Sequence, residues 1–189
     1  MHTAKCNAHA TKGCTPGHEV TGGRKSPAEL RAERRPRAHP CWGHLVVAPF
    51  WVSFQANLGT LLRTCDAAGA CMAVPSTAYY HQALHRGNTL SVRSCVHWVH
   101  RPLSWVGRER SSGSTVLGVE LAEDAVRLGD LRPATNRTII LLGHEHNGIP
   151  DDAWPLLDQV VEIPMVGAGA SLNVAVAASL VLYRLAGLS

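Results

Sequence analysis

The sequence has 189 residues, 46% of them hydrophobic, and is long enough to fold as one domain with a sizeable core, with or without a tail. It contains no early apolar segment typical of a signal peptide and no run of about 18 apolar residues that could span a bilayer. These features argue against a membrane protein and predict a soluble one. The six cysteines form no C-x-x-C pair, so we expect free thiols, no disulfide staples and a reducing, cytoplasmic location.

The formal net charge of +4 is distributed unevenly along the chain. Residues 1–38 contain eight Lys or Arg against three Glu, whereas residues 39–189 contain ten against eleven acidic residues. The basic segment has almost no apolar periodicity, which predicts a mostly disordered tail followed by one folded domain. A basic tail suits an anionic partner such as RNA, but many basic termini are only solvated arms, and both interpretations stay open.

One pattern in the tail could bind a metal ion. Two cysteines and two histidines have the spacing C-x2-H-x4-C-x3-H, namely Cys6, His9, Cys14 and His18. Such a set can hold zinc in a tetrahedral site. The segment lacks the apolar residues that usually pack beside a zinc knuckle, so we predict no metal there.

From Leu45 onward, short β-branched runs alternate with helical stretches, which is the pattern of a parallel sheet flanked by helices. The predicted fold class is therefore α/β. Strands are predicted at Leu45–Ala48, Cys71–Val74, Val96–Val99, Val116–Val119, Ile139–Leu142 and Val160–Ile163. Helices are predicted at Leu58–Ala68, Pro102–Arg110, Asp151–Leu157 and Leu172–Leu185, and the stretch Tyr79–Gly87 fits neither pattern clearly.

The first segment with potential chemistry is the amphipathic helix between Asn57 and Gly69. Asn can cap a helix at its N-terminus and Gly can end one, so both ends are marked. Arg63 lies six residues after Asn57 and projects from the second turn. It is either a functional cation or a surface residue that pairs with Asp66 three positions later.

The second segment is a loop bounded by Gly143 and Gly148, directly after the predicted strand that ends at Leu142. Glycines in this position let the backbone approach a ligand closely. Glu145 lies between two histidines, which also suggests a metal ion. Consecutive residues rarely converge on one ion, however, so we predict no metal site.

The third segment is a strand end, a glycine-rich turn and an apolar helix, over residues 163–179. Pro164 cannot donate to a strand and should end it, and Ser171 is placed to cap the helix. Asn173 lies among apolar residues and needs a hydrogen-bond partner, since an unsatisfied buried amide costs roughly 1–3 kcal/mol. It is either a core Asn bonded to backbone or part of a ligand site, which α/β proteins often build at a helix N-terminus.

The three segments together resemble the SPOUT class of RNA methyltransferases, in its SpoU or TrmH-like branch. The matching motifs are N-x-G-x3-R from Asn57, G-x-E-x2-G from Gly143, I-P-M-x-G from Ile163 and S-L-N-V from Ser171. The resemblance covers residues 45–186 and implies methyl transfer from S-adenosylmethionine to a ribose 2′-hydroxyl of RNA, with transfer RNA slightly favoured over ribosomal RNA. It also implies a C-terminal trefoil knot, a rare topology.

The resemblance further implies roles for individual residues. Groups that hold the cofactor are carried over to Gly143, Gly148, Ile163, Met165 and Leu172. The polar catalytic positions are carried over to Arg63, Asn57, Glu145, Ser171 and Asn173. The family forms homodimers with a shared active site, so Arg63 of one subunit is expected to act on cofactor held by the other.

Two positions depart from the family pattern. The family often has Asp-Pro shortly before the first Asn, whereas this chain has Ser53-Phe-Gln-Ala, so a different entry loop is expected. The family often has Ser where this chain has Ala175. No separate RNA-binding domain is recognisable, which leaves the RNA substrate open.

Two other functions and two roles for Arg63 also stay open. A non-catalytic SPOUT-like RNA-binding protein would share the fold, although Arg63 and the S-L-N-V motif are present here. A nucleotide-dependent α/β enzyme of another kind would need a G-x-G-x-x-G motif or a P-loop, and neither occurs. Arg63 is either the base or a clamp on an RNA phosphate, and because a guanidinium is always charged and is a poor base, the clamp is favoured.

Overall fold

The computed structural model describes residues 25–26, 29–30, 33, 44–87, 95–169 and 171–188. The chain divides into two compact units, Met1–Ala38 and His39–Ser189. In the first unit, Ser26 and Glu29 form a reciprocal pair of backbone and side-chain hydrogen bonds that begins a helical turn. The disorder predicted for the rest of this unit, and the question of zinc at its Cys and His residues, lie outside the described residues.

The second unit is built on a seven-stranded sheet in which every strand pairing is parallel. The order of strands across the sheet is β3-β2-β1-β6-β4-β7-β5. The bounds are β1 Leu45–Ala48, β2 Cys71–Pro75, β3 Val96–Val99, β4 Thr115–Val119, β5 Val126–Arg127, β6 Thr138–Leu142 and β7 Gln159–Glu162. The α/β class with a parallel sheet is thus confirmed.

Helices cover both faces of the sheet, which is why its central strands β1 and β6 are buried at every position rather than at alternate ones. The helices are α1 Gln55–Ala68, α2 Ala78–Gly87, α3 Pro102–Ser111 and α4 Val174–Leu185. Helices α1, α2 and α4 pack on one face and bury Leu45 and Val47 of β1. Helix α3 packs on the other face, against Val46 and Ala48.

The predicted strands all form, within one residue at either end. The helix predicted at Asp151–Leu157 is wrong, because only a single 3-10 turn forms at Trp154–Leu156. Pro155 lies inside this stretch and has no N–H to continue a helix. Strand β5 was not predicted, since two residues are too short to show a pattern, and the ambiguous stretch at Tyr79–Gly87 is helix α2.

The prediction that the cysteines in apolar stretches are free thiols is confirmed for one of them and wrong for two. Cys65 is buried and free, and its burial raises the pKa of the thiol to about 12, so it packs as a small hydrophobe. Cys71 and Cys95 form a disulfide between β2 and β3. The parallel register that pairs Met72 with Val96 also places these two cysteines side by side, with Cα atoms 4.8 Å apart.

No helix in the part of the chain that the structure describes is long and apolar enough to cross a membrane.

Candidate active site

A cavity of about 640 Å³ lies at the carboxyl edge of the sheet, where loops follow β4, β6 and β7. Ligands of open parallel sheets commonly bind at this edge. Nine of the ten site residues predicted from the sequence line this cavity, namely Asn57, Gly143, Glu145, Gly148, Ile163, Met165, Ser171, Leu172 and Asn173. Arg63 is the tenth and does not line it.

Three polar side chains from the three motifs form one hydrogen-bonded relay across the cavity wall. The Asn173 Oδ1 accepts the backbone N–H groups of Ala175 and Val176 and so caps α4. Its Nδ2 therefore donates to Oδ1 of Asn57, at 3.0 Å. The Asn57 Nδ2 in turn donates to Oε1 of Glu145, at 2.8 Å. Because each amide has one acceptor and one donor end, the cap on α4 sets the direction of the whole relay.

This relay corrects two predictions about helix caps. The sequence suggested Ser171 as the cap of α4, but the helix begins at Val174 and Asn173 caps it. Asn57 was expected to cap α1, but that helix begins at Gln55, and Asn57 lies inside its first turn. Its side chain is thereby available to Glu145 and Asn173, which explains how an amide can be only 8% exposed without an unsatisfied group.

The Glu145 carboxylate binds the loop that leads into α1. Its Oε2 accepts the backbone N–H and the hydroxyl of Ser53, both at 3.0 Å, and its Oε1 accepts the N–H of Phe54 at 3.1 Å. Partial burial opposes the charged form, but hydrogen bonds from Ser53, Asn57 and Phe54 outweigh it and lower the pKa of Glu145 to about 2. The carboxylate is thus ionised and organises the entry loop that departs from the family pattern.

Tyr80 of α2 holds the same loop from its other end. Its hydroxyl lies 2.8 Å from the carbonyl oxygen of Phe50, 3.0 Å from that of Pro49 and 3.2 Å from that of Val52. The ring is only 7% exposed, and burial raises the pKa of Tyr80, so the group stays a neutral donor. The neighbouring Tyr79 hydroxyl donates to the Ser53 carbonyl.

Replacing Tyr80 with Phe should lower the free energy of unfolding by about 1–2 kcal/mol, since buried carbonyl groups lose their donor. Urea denaturation followed by circular dichroism measures this change. Tyr183→Phe is the matched control, because the Tyr183 hydroxyl makes no hydrogen bond among the described residues. Equal stability of Tyr80→Phe and the control would contradict the anchoring role.

The loop of the second motif closes on itself and requires glycine at two positions. The N–H groups of His144 and Gly148 each donate to the other residue's carbonyl at 2.9 Å. A Cβ on Gly143 would lie 2.2 Å from the carbonyl carbon of Gly148, which is far inside contact distance. Gly148 has a φ of 68°, a conformation that favours glycine. Glycine at these two positions therefore lets the loop close tightly where it lines the cavity.

Gly143→Ala should destabilise the chain by about 3 kcal/mol or more, because backbone rather than a flexible side chain must move to admit the methyl group. Thermal and urea denaturation measure the change. Gly167→Ala is the control, since nothing lies within 4 Å of a Cβ built there. A Gly143→Ala variant as stable as the control would show that the loop is not as tightly closed as described.

Glu120 is a residue of the cavity that the sequence analysis missed. It follows β4 directly, its Oε2 accepts the backbone N–H of Ile149 at 3.2 Å, and the same oxygen lies against Gly148. Glu120 therefore holds the loop between Gly143 and Gly148 in place and also lines the cavity. A carboxylate placed immediately after an apolar strand is the signal that could have identified it.

Arg63 lies on the exposed side of α1, away from the buried face formed by Leu58, Leu61 and Leu62. It is six residues from Asn57, so the two side chains leave the helix in different directions. The cavity is thus lined by Asn173, Asn57 and Glu145 of the same chain but not by Arg63 of that chain. Exposed apolar side chains at Val176 and Leu180 lie on α4, which packs against α1.

Known proteins share this fold and part of this sequence. The sequence profile of the SpoU rRNA Methylase family matches residues 44–183. The chain therefore belongs to the SpoU rRNA Methylase family, and the resemblance drawn from its motifs is confirmed.

Three individual proteins show the extent of the similarity. A tRNA (guanosine(18)-2′-O)-methyltransferase of Thermus thermophilus is 36% identical over 138 residues, which cover 68% of this chain and 66% of that protein. The TrmH/SpoU tRNA modifying enzyme of A. aeolicus shares the fold, with a TM-score of 0.66, 21% identity and coverage of 80% of this chain and 78% of the other. The SpoU methyltransferase AviRb from Streptomyces viridochromogenes was solved in complex with AdoMet. Its TM-score is 0.60 and its identity is 27%, and the match covers 76% of this chain and 59% of the AviRb chain.

Proposed function

We propose that this protein transfers a methyl group from S-adenosylmethionine to a ribose 2′-hydroxyl of RNA. The observation that carries the proposal is the relay of Asn173, Asn57 and Glu145, which joins all three motifs at the wall of one cavity. The 2′-O-methyltransferase of T. thermophilus supports the reaction, and the AdoMet complex of AviRb supports the cofactor. The match spans just under two thirds of the first of these relatives.

The cavity suits S-adenosylmethionine in shape and in charge. The closed glycine loop presents backbone groups where an adenine and ribose can approach, and Ile163, Met165 and Leu172 supply apolar surface. Glu120 also faces the cavity, and a carboxylate there favours a cationic sulfonium. When bound, S-adenosylmethionine supplies the methyl group, whose bond to sulfur breaks as the bond to the ribose oxygen forms.

Arg63 is proposed to grip an RNA phosphate beside the reacting ribose, rather than to act as the base. A guanidinium is always charged and can form a two-pronged, charge-assisted pair with phosphate oxygens. The proton of the 2′-hydroxyl then passes to that phosphate or to water. Holding the hydroxyl about 3–3.5 Å from the methyl group provides much of the rate.

We further propose a homodimer in which Arg63 of one subunit serves the cavity of the other. The proposal accounts for two observations together, namely that Arg63 lies outside its own cavity and that α4 leaves Val176 (48% exposed) and Leu180 (42% exposed) uncovered. A helix with apolar residues on its outer side needs a partner surface.

Mixing two inactive variants tests this shared site. Arg63→Ala and Gly143→Ala subunits, co-expressed with different tags, should form a heterodimer with one intact composite site. Random pairing should then restore about one quarter of the wild-type methylation rate. Absence of any recovery, with the heterodimer isolated through both tags, would contradict a shared site, as would a monomer in light scattering.

The substrate is proposed to be structured RNA, with transfer RNA favoured over ribosomal RNA because the T. thermophilus relative is a tRNA methyltransferase. The methyltransferase domain is proposed to be residues 39–189, and residues 1–38 an RNA-facing or solvated arm. A cytoplasmic location is proposed with it, since bacterial tRNA methyltransferases are among the relatives.

A trefoil knot is the finer topology that we propose within the parallel sheet. In this arrangement the segment before α4 passes through the loop that contains Gly143 and Gly148. Its support is that both segments line one cavity and that Asn173 and Glu145 are joined through Asn57. Pulling on both termini of single molecules would test it, because a knotted chain keeps a shorter unfolded length than an unknotted one.

Titration calorimetry with S-adenosylmethionine and its demethylated product tests the cofactor assignment. We expect one site per subunit, and we expect binding to be lost in Gly143→Ala and kept in Gly129→Ala, which lies outside the cavity and where an added Cβ meets nothing within 4 Å. No heat with either ligand, on protein shown to be folded, would contradict the proposed activity.

A further inference from the structure

One stretch of the domain differs sharply in charge from the rest. Residues 67–108 contain four arginines, four histidines and no Asp or Glu. The remaining residues of 39–189 contain six arginines against eleven acidic residues. The net positive charge of the domain therefore lies in the part of the chain that includes β2, α2, β3 and most of α3. A region with this bias favours an anionic partner.

Aromatic side chains are exposed in the same region. Trp98 of β3 is 40% exposed and stacks on His81 of α2, with ring centroids 3.7 Å apart and planes inclined by 15°. His81 is itself exposed. A tryptophan held flat by a neighbouring ring is a platform on which an unpaired base can stack.

This platform lies at the same edge of the sheet as the cavity. All strands are parallel, so the carboxyl end of β3, with Trp98 followed by His100 and Arg101, faces the same way as the ends of β1 and β6. Strand β3 is separated from β1 only by β2, a spacing of about 10 Å. The Tyr79 hydroxyl, two residues from His81, donates to the carbonyl of Ser53, whose N–H binds Glu145.

We propose that His81, Trp98, His100 and Arg101, called here the β3-edge surface, bind an unpaired stretch of the RNA beside the nucleotide that enters the cavity. Trp98 stacks on a base, and Arg101, exposed at the start of α3, pairs with the RNA backbone. The proposal rests on the RNA methyltransferase function and adds how the substrate is held. It requires single-stranded rather than fully paired RNA, because bases inside a duplex have no free face.

Substitutions at Trp98 test the stacking. Affinity for bulk transfer RNA, measured by filter binding, should fall about tenfold in Trp98→Leu, which keeps an apolar side chain but removes the ring. Trp98→Phe keeps a ring and should stay within about threefold of wild type. Oligouridylate should compete better than a fully paired RNA duplex of the same length. Wild-type affinity in Trp98→Leu, or equal competition by both RNAs, would overturn the assignment.

A charge substitution keeps the test valid if Trp98→Leu does not fold. Arg101→Gln should reduce the salt dependence of RNA binding by about one phosphate contact. Arg132→Gln is the matched control, since Arg132 is also exposed but lies near Ala134, whose N–H donates to the carbonyl of Leu185 at the far end of α4. Identical salt slopes in both variants would overturn the role of Arg101.

Two further outcomes separate this inference from the proposed function. Wild-type protein that binds transfer RNA through Trp98 but transfers no methyl group would refute the function and leave the surface in place. Wild-type protein that methylates RNA, with Trp98→Leu equally active and equally tight in binding, would refute the surface alone. A change of molecular mass in light scattering of Trp98→Leu would mean that a second copy occupies the surface, and would also overturn the proposal.

Discussion

Replacing Arg63 with Ala should abolish methyl transfer while leaving the affinity for S-adenosylmethionine within a few-fold of wild type. The reason is that Arg63 lies outside the cavity of its own chain and is proposed to act on the RNA side of the partner's site. Losing a charge-assisted grip misplaces the ribose, and a displacement of about 1 Å can cost 10²-fold or more in rate. Initial rates with transfer RNA and calorimetry with the cofactor measure the two effects separately.

Arg63→Lys distinguishes the two roles of this side chain. A lysine has one point charge and cannot form the planar fork, so a phosphate clamp should lose most of its effect. If Arg63 were the base, the lysine variant should stay active and its pH–rate profile should shift, because a lysine pKa of about 10.4 is lower. Arg132→Ala is the control for removal of an exposed arginine. Full activity in Arg63→Ala would contradict both roles.

Replacing Glu145 with Gln should destabilise the domain by about 1–3 kcal/mol and lower the methylation rate by about 10²-fold. The carboxylate accepts hydrogen bonds from Ser53, Phe54 and Asn57, and it has no proton to offer. A glutamine presents one acceptor oxygen and an NH2 group that faces donors. The entry loop then loses the interaction that positions it against α1, and the relay to Asn173 loses its acceptor.

The effect of Glu145→Gln on stability should depend on pH in one direction. The pKa of Glu145 is lowered from 4.5 to about 2 in the folded chain, so its stabilising effect is complete above about pH 4.5 and is lost as the pH falls toward 2. Gln does not titrate. Urea denaturation should therefore show a constant difference between wild type and variant near neutral pH, and a shrinking difference in acid. Glu123→Gln, at an exposed carboxylate, is the control, and a pH-independent difference would contradict the assigned pKa.

Sequence patterns predicted the sheet well because each central strand is a short apolar run. Leu45–Ala48 forms with the predicted bounds, since both faces of the sheet are covered there and every position of the strand is buried. The motifs likewise brought nine residues to one cavity, because parallel strands end at one edge and their following loops meet there.

What the sequence could not predict depends on contacts between distant segments. The cap of α4 was assigned to Ser171 rather than Asn173, and the bond by which Asn173 also reaches Asn57, 116 residues away, has no local pattern. The anchoring of the entry loop by Tyr80 has no local pattern either. The pairing of Cys71 with Cys95 follows from the register of β2 and β3, which spacing along the chain does not reveal.

The most direct test of ribose methylation is nucleoside mass spectrometry on transfer RNA incubated with this protein and isotope-labelled S-adenosylmethionine. Wild-type protein should place the labelled methyl group on a ribose, giving a 2′-O-methylated nucleoside that is absent from reactions with Arg63→Ala and strongly reduced in reactions with Glu145→Gln. A labelled methyl group on a base, or no label in either transfer or ribosomal RNA from folded protein that binds the cofactor, would contradict the proposed function.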